Sequence, residues 1–221
     1  KAAVSLLDDA GFQIHFHAIG DGAVRQALDA VEAARKRNGD LGHRHHIAHL
    51  QIIDPEDIPR FAALDVVANF QPLWAYADEY VVDLTLPFVS QETARWMYPI
   101  KSVIDSGGQV AFGSDWSVST ANPFPQIETA VTRVDAEAHD TEELNPEQRV
   151  SREQAVAAFY INAAFVNHQE KKTGSIEPGK FADLIVTDQN IFQIDPAEIS
   201  ETKVLVTLFE GQPVYGDPDD L

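Results

Sequence analysis

Short apolar runs alternate with amphipathic segments along the first two thirds of the chain. In the segment after the first run, apolar residues recur at helical spacing from Val24 to Ala34, and three basic residues precede Asn38-Gly39. A later segment begins with Ser151 and Gln154, which have the spacing of a helix capping box. The runs that predict β-strands are 12–17, 45–53, 65–72 and 109–115.

This alternation predicts an α/β fold, because strands joined by helical crossovers run parallel to one another. A closed (β/α)8 barrel of such units needs about 250 residues. The four predicted units are too few for a closed barrel. The pattern is therefore consistent with half of a barrel or with an open parallel sheet.

The sequence pattern changes after the last predicted helix. Residues 174–188 and 203–216 contain short apolar runs broken by glycine and proline, which is typical of a small β-element. We therefore expect one α/β region over 1–168 and a separate β-rich region over 169–221.

Composition excludes several classes of protein. The formal charge of −19, from 35 acidic against 16 basic residues, disfavours binding to nucleic acid. The chain has no cysteine, so disulfides and thiolate metal sites are excluded. No apolar run approaches the roughly 20 residues of a membrane span. We expect an acidic, cytoplasmic protein that binds neither nucleic acid nor membranes.

Three predicted strands end in side chains that suit a divalent metal ion. The first predicted strand ends at His17, the second at His49 and the fourth at Asp115. Ligands bind at the carboxyl ends of parallel strands, and two imidazoles with a carboxylate are typical zinc ligands. The competing interpretation of each histidine alone is a buried structural side chain.

Other residues near these strand ends are weaker candidates. His15 shares a face with His17 one layer deeper, where it would support the site or, alternatively, bind the metal as a pair with His17. Asp21 is either a helix cap or a partner of a metal ligand. Strand alternation aligns His45 with His49 and turns His46 the other way. The candidates for substrate contact are Arg44, His45, Trp74 and Trp116.

Four segments together resemble the amidohydrolase superfamily. They are "HAIGDGAV" (17–24), "HRHHIAH" (43–49), "FGSDWSV" (112–118) and "GSIEPGKFADLIVTD" (174–188). The likeness is strongest to amidohydrolase family 3, the group that includes the deformylase of N-substituted formamides. It extends from about residue 10 to 216, and the four segments occur in the family's order.

The resemblance implies a metal-dependent (β/α)8 barrel with a small β-sandwich built from both chain ends. It further implies that this chain carries barrel strands five to eight and the C-terminal strands of the sandwich. His17 and His49 match the metal ligands of strands five and six. Asp115 matches the carboxylate after strand eight, which takes a proton from water and passes it to the leaving group. His15 then does not belong to the family's paired histidines, which lie on strand one.

The expected function is hydrolysis of an amide or another C–N bond in a small molecule by metal-activated water. The expected cofactor is a divalent metal, zinc above others. The family's usual Glu and Arg are replaced by Ala48 and His46, which affects substrate preference more than metal ligation. The ligands of strands one and four lie outside this chain. We therefore expect the isolated segment to be an incomplete enzyme, which can occur without bound metal.

Two other functions remain open. One is a non-catalytic scaffold or regulatory protein on the amidohydrolase fold, and the other is an open-sheet binding module. The second is disfavoured because the chain has no glycine-rich phosphate loop. We also expect the isolated segment to form homo-oligomers, or to bind the other half of the barrel, because unpaired strand edges promote association.

Overall fold

A computed structural model describes residues 1–220, in which two β-sheets and their connecting helices form the fold. The first sheet is parallel, with its strands in sequence order: β1 (His15–Ala18), β2 (His46–His49), β3 (Val67–Phe70) and β4 (Val110–Phe112). β2, β3 and β4 lie inside predicted runs and are shorter than them, whereas β1 overlaps the run 12–17 and extends one residue beyond it to Ala18. The prediction of an α/β fold with a parallel sheet is confirmed.

Helices connect and cover these strands. Their bounds are α1 (Ala2–Asp9), α2 (Asp21–Asn38), α3 (Ile58–Ala63), α4 (Glu79–Val82), α5 (Gln91–Ala94), α6 (Ile100–Asp105), α7 (Pro123–Thr132), α8 (Arg152–Phe159) and α9 (Ile161–Val166). Asn122 caps α7 by accepting a hydrogen bond from the Phe124 N–H, and Ser151 and Gln154 form the predicted capping box of α8. Local sequence signals thus define these helix starts.

The register of the parallel sheet separates two faces. His15, His46 and Val67 lie in one row, and His17, Ala48, Asn69 and Ala111 lie in the next row of the same face. We call this the inner face. The alternate residues Ile47, Ala68 and Val110 lie on the outer face and are buried with the apolar residues of the helices. The main hydrophobic core therefore lies between the outer face and the helices.

The base of the inner face is closed by a small apolar contact. Val67 and Ala111 are buried against Val166, at the end of α9, and against the partly buried Phe165. The Gln13 side chain donates a hydrogen bond to the Val166 carbonyl (2.8 Å) and so ties α9 to the start of β1. Above this floor the inner face carries mainly polar side chains, and His15 and His17 are exposed.

A buried arginine fixes the long segment between β3 and α6. Arg133 is fully buried and donates hydrogen bonds to the carbonyls of Leu144 (2.7 Å), Tyr98 (3.2 Å) and Met97 (3.2 Å). Burial lowers the pKa of Arg133 to about 10, so the guanidinium stays protonated at neutral pH. The aromatic residues of 73–99 are thereby attached to the end of α7.

The second sheet is antiparallel and lies in the C-terminal region. It contains β5 (Leu184–Thr187), β6 (Val204–Phe209) and β7 (Gln212–Tyr215), in that order. A groove of about 1070 Å³ between this sheet and the α8–α9 pair is lined by Phe159, Phe181 and Ile185, among others. No helix within residues 1–220 combines the length and apolar character needed to cross a membrane.

A buried carboxylate joins α1 to the start of β2. The Asp8 side chain accepts hydrogen bonds from Asn38 Nδ2 (2.7 Å), His43 Nδ1 (3.0 Å) and His45 Nε2 (2.9 Å). Burial opposes ionisation, but the three donors outweigh it and lower the pKa of Asp8. His45 in turn accepts a hydrogen bond at Nδ1 from the Ile14 N–H (3.0 Å), so the cluster connects a helix to both neighbouring strands.

Replacing Asp8 with alanine should destabilise the fold strongly. The change leaves two imidazoles and an amide without their acceptor in a buried place, which costs roughly 3–5 kcal/mol of unfolding free energy. Urea unfolding of the variant at pH 7 measures the loss. Asp9→Ala is the matched control, because Asp9 is exposed on the same helix and its loss should change stability by at most about 0.5 kcal/mol. Equal effects of the two substitutions would contradict the assigned role of Asp8.

Candidate metal centre

The structure brings His17 and His49 together at the carboxyl end of the sheet. His17 lies near the end of β1 and His49 is the last residue of β2. Their ring centroids are 4.3 Å apart and the rings are inclined at 59°. Neither ring forms a hydrogen bond to another side chain or carbonyl within residues 1–220, so their nitrogen lone pairs remain available to a ligand.

The backbone at His49 departs from the regular strand. Its neighbour across the sheet is Ala18, an outer-face residue, so simple alternation would turn His49 away from His17. His49 has φ of 75° and Leu50 has φ of 58°, both in the left-handed region. This conformation costs about 1–2 kcal/mol per non-glycine residue, and such strain clusters at functional sites. The left-handed turn allows the His49 ring to lie beside that of His17.

Asp115 follows β4 and is half-buried in the loop after Phe112. It also has a left-handed backbone, with φ of 57°. Burial and the neighbouring His17 lower the pKa of His49, whereas the charge of Asp115 acts in the opposite direction. The carboxylate is therefore close enough to influence His49. It does not, however, form with His17 and His49 a set of three ligand atoms within 4.8 Å of one another.

The donor set at this edge fits a zinc-type ion. Two imidazoles with unpaired nitrogens, beside a carboxylate, are the ligand types that zinc takes in hydrolytic sites. Among the described residues, the three groups whose ligand atoms do lie within 4.8 Å of one another are Asp8, His43 and His45. Their hydrogen bonds occupy both ring nitrogens of His45, one as acceptor and one as donor. This cluster fits a structural role better than metal binding.

The deeper inner face contains a second histidine pair. His15 Nδ1 lies 2.6 Å from His46 Nε2, and the rings meet edge to face with centroids 4.6 Å apart. The prediction that His46 faces away from the metal edge was wrong, because the turn at His49, and not at His46, breaks the alternation. His15 lies one row below His17, as expected, and contacts His46. Its supporting role stays a prediction.

The predictions of substrate contact for His45 and Arg44 were wrong. His45 is fully buried and binds Asp8. Arg44 lies before β2, at the opposite end of the sheet from His49, where both Nη atoms bind the Glu170 carboxylate at 2.8 Å. Its guanidinium also lies 3.8 Å from the Phe165 ring centroid. Arg44 therefore fastens the base of β2 to the end of α9.

The remaining candidates lie at or near the carboxyl edge. Trp74 is half-buried in a 3₁₀ helix (Pro72–Trp74) after β3 and packs against the core, and Trp116 is 73% exposed beside Asp115. Their contact with substrate stays a prediction. Asp21 is not the N-cap of α2, since Gly20 has that position and the Asp21 carboxylate accepts from the Gly22 N–H at 2.7 Å.

Sequence reasoning missed two amide side chains at the edge. Asn69 lies in the inner-face row of His17, and Gln71 follows β3 and is 4% exposed. Gln71 Oε1 accepts a hydrogen bond from the His49 N–H at 2.8 Å. The alternation of 67, 69 and 71 along the third run could have placed both on the inner face.

Comparison with known proteins identifies the family. A model of the amidohydrolase family matches residues 1–215. The chain is 33% identical to protein LONG AFTER FAR-RED 3 of Arabidopsis thaliana over 94% of its own length and 35% of that protein. It is 31% identical to an N-substituted formamide deformylase of Arthrobacter pascens, over 91% of the chain and 36% of the enzyme. The chain belongs to the amidohydrolase family.

Solved structures show the same fold. An uncharacterized metal-dependent hydrolase from Pyrococcus furiosus superposes with a TM-score of 0.61 and 29% identity, covering 76% of this chain and 31% of that one. The atrazine chlorohydrolase TrzN from Arthrobacter aurescens, complexed with zinc, gives a TM-score of 0.61 at 19% identity, covering 96% and 46%. The chain thus spans less than half the length of each of these relatives and structures.

The histidine pair of the inner face should make stability depend on pH. Burial, reinforced by the neighbouring His15, lowers the pKa of His46 to about 4. In the unfolded chain a histidine titrates near 6.5. Between these values the unfolded state binds a proton that the folded state does not, so stability is full above pH 6.5 and falls as the pH drops towards 4.

Replacing His46 with phenylalanine should make this decline shallower. The measurement is the free energy of urea unfolding at several pH values from 8 to 4, for the wild type and the variant. Only the slope is compared, so a constant change in stability from the new ring does not affect the result. An equally steep slope in both proteins would show that His46 is not a source of the pH dependence.

Proposed function

We propose that this chain supplies part of the active site of a metal-dependent hydrolase that cleaves an amide or another C–N bond in a small molecule. The observation that supports this most is the His17–His49 pair, whose rings lie 4.3 Å apart with no competing hydrogen bonds in the described chain. The family match over 1–215 makes hydrolysis the natural chemistry for such a pair.

We propose further that β1 to β4 are strands five to eight of a (β/α)8 barrel. The inner face, which other strands would enclose in a barrel, carries exposed histidines next to a closed apolar floor. In the C-terminal sheet, Phe209, Val214 and Tyr215 are 59–63% exposed. Apolar exposure of this kind marks a surface that another element covers. We assign 1–168 to the barrel and 169–221 to a composite β-sandwich, both completed by an N-terminal half.

Each candidate residue has a distinct role in this proposal. His17 and His49 would hold the metal through their ring nitrogens, together with ligands from the N-terminal half. A zinc ion held there would supply a water molecule with a pKa lowered to about 7 and would polarise the carbonyl group of the substrate. Asp115 accepts the proton from the attacking water and delivers it to the departing nitrogen. Trp74 and Trp116 border the entrance.

An N-substituted formamide is the first substrate to test, because a relative with 31% identity is named as a deformylase of that class. Water adds to the formyl carbon, the C–N bond breaks, and formate and an amine are released. The proton that Asp115 takes from water ends on the amine nitrogen, so the carboxylate is regenerated in each cycle.

Substitution of Asp115 tests the catalytic role. In the complete hydrolase, Asp115→Asn should lower turnover by about 10²–10⁴-fold, because the amide cannot accept a proton. Release of formate is the measurement. Asp140→Asn, in the exposed acidic loop, is the control and should retain full activity. Wild-type turnover by Asp115→Asn, in a hydrolase that is itself active, would remove Asp115 from the mechanism.

Metal content distinguishes this proposal from a non-catalytic scaffold on the same fold. Elemental analysis of the complete protein should find about one or more zinc-like ions per chain. His17→Ala and His49→Ala should each lower that content, whereas His168→Ala, at an exposed position outside the inner face, should not. A complete protein without bound metal and without hydrolytic activity would favour the scaffold.

A further inference from the structure

A buried glutamine holds the backbone of His49. Gln71 is 4% exposed, and its Oε1 accepts the His49 N–H at 2.8 Å. The acceptor is thus a side chain from the segment after β3, in place of a main-chain carbonyl. The next residue, Leu50, donates its N–H to the Ala18 carbonyl at 2.9 Å. The two left-handed residues are therefore fixed from both neighbouring strands.

The orientation of the Gln71 amide follows from its partners. Because Oε1 receives a main-chain N–H, Nε2 faces the other way and donates to Asn69 Oδ1 at 3.3 Å. A methyl group built on Gly113 would lie 3.4 Å from Asn69 Oδ1 and 3.5 Å from Gln71 Nε2. The amide pair therefore borders Gly113, in the loop that leads to Asp115, with room for about one methyl group between them.

We propose that Gln71 is a positioning residue of the metal site. By accepting the His49 N–H, it keeps His49 in the left-handed conformation that brings the imidazole beside that of His17. The effect on metal binding rests on the function proposed above, whereas the effect on the His49 backbone does not. The role proposed for Gln71 is to hold the His49 backbone, and it includes no ligation of the metal by Gln71 itself.

The chain provides a matched control at a distance from the site. Gln148 is 5% exposed, accepts the Ser102 N–H at 3.0 Å and donates to Ser102 Oγ at 2.8 Å. It has the same side chain, nearly the same burial and the same bonding pattern as Gln71. A general effect of removing a buried glutamine should appear in the variants of both glutamines. A specific effect on His49 should appear only in the variant of Gln71.

The experiment compares Gln71→Met with Gln148→Met in the complete, metal-free hydrolase. Hydrogen–deuterium exchange resolved to the His49 amide reports the backbone contact, and zinc titration reports the ligand geometry. Gln71→Met should accelerate exchange of the His49 amide and weaken zinc binding by about 10–100-fold, the range found when partners of metal ligands are removed. Gln148→Met should leave both at wild-type values.

A conservative variant separates the contact from simple packing. Gln71→Glu retains an oxygen that can accept the His49 N–H, so protection of this amide should be restored, whereas Gln71→Asn is too short to reach it. These two variants decide the question if Gln71→Met does not fold. Wild-type exchange at His49 and wild-type zinc affinity in Gln71→Met, or in Gln71→Asn in its place, would overturn the inference.

Failure of the proposed function would give a different result. If the wild-type complete protein binds no zinc, the metal-dependent mechanism is wrong. The exchange measurement then decides the role of Gln71 alone: faster exchange at His49 in Gln71→Met, without change in Gln148→Met, supports it. Unchanged exchange overturns it.

Discussion

The parallel register of β1 to β4 is the constraint on which the site depends. Because all four strands run in one direction, their carboxyl ends meet at one edge. His17 lies near the end of β1, His49 ends β2 and Asp115 follows β4 at this edge. A shift of one residue in any pairing would exchange the two faces of that strand. The inner face would then lose its histidines, and the core its apolar residues. Packing of the outer face against the helices therefore also fixes the position of the candidate metal ligands.

The stabilising polar contacts and the candidate metal site lie at opposite ends of the sheet. At the base, Arg44 binds Glu170 and the buried carboxylate of Asp8 joins α1 to the start of β2. At the carboxyl edge the backbone is strained, with His49 and Asp115 both left-handed. A site of this kind requires a rigid base, since strain at the edge persists only when the surrounding structure determines it. Gln71 belongs to the edge and connects it to the buried interior.

Local signals in the sequence were sufficient to predict much of the fold. The capping box at Ser151 predicted the start of α8, and the alternation of strand and helix patterns predicted the parallel sheet. The site was harder to predict, because its geometry depends on contacts between distant residues. Strand alternation predicted the wrong face of the sheet for His46, because no local sequence signal predicts the left-handed turn at His49.

Other errors also reflect long-range pairing. Arg44 pairs with Glu170, 126 residues later, and His45 with Asp8, 37 residues earlier, and no local pattern relates either pair. The local sequence therefore does not predict whether a charged or polar side chain beside a strand contributes to the metal site or to contacts at the opposite end of the sheet. The assignment of this sheet to half of a barrel is a proposal that rests on the resemblance, because periodicity alone left an open sheet as an alternative.

The apolar floor under the inner face limits how far a bound molecule can extend. From the row of His17 to the row of His15 and Val67 the distance is two strand residues, or about 7 Å. A group reaching past the reactive edge meets the two contacting imidazoles and then the side chain of Val166. The inner face is therefore shallow at this edge, because the two imidazoles and one valine side chain close it within about two strand residues of His17.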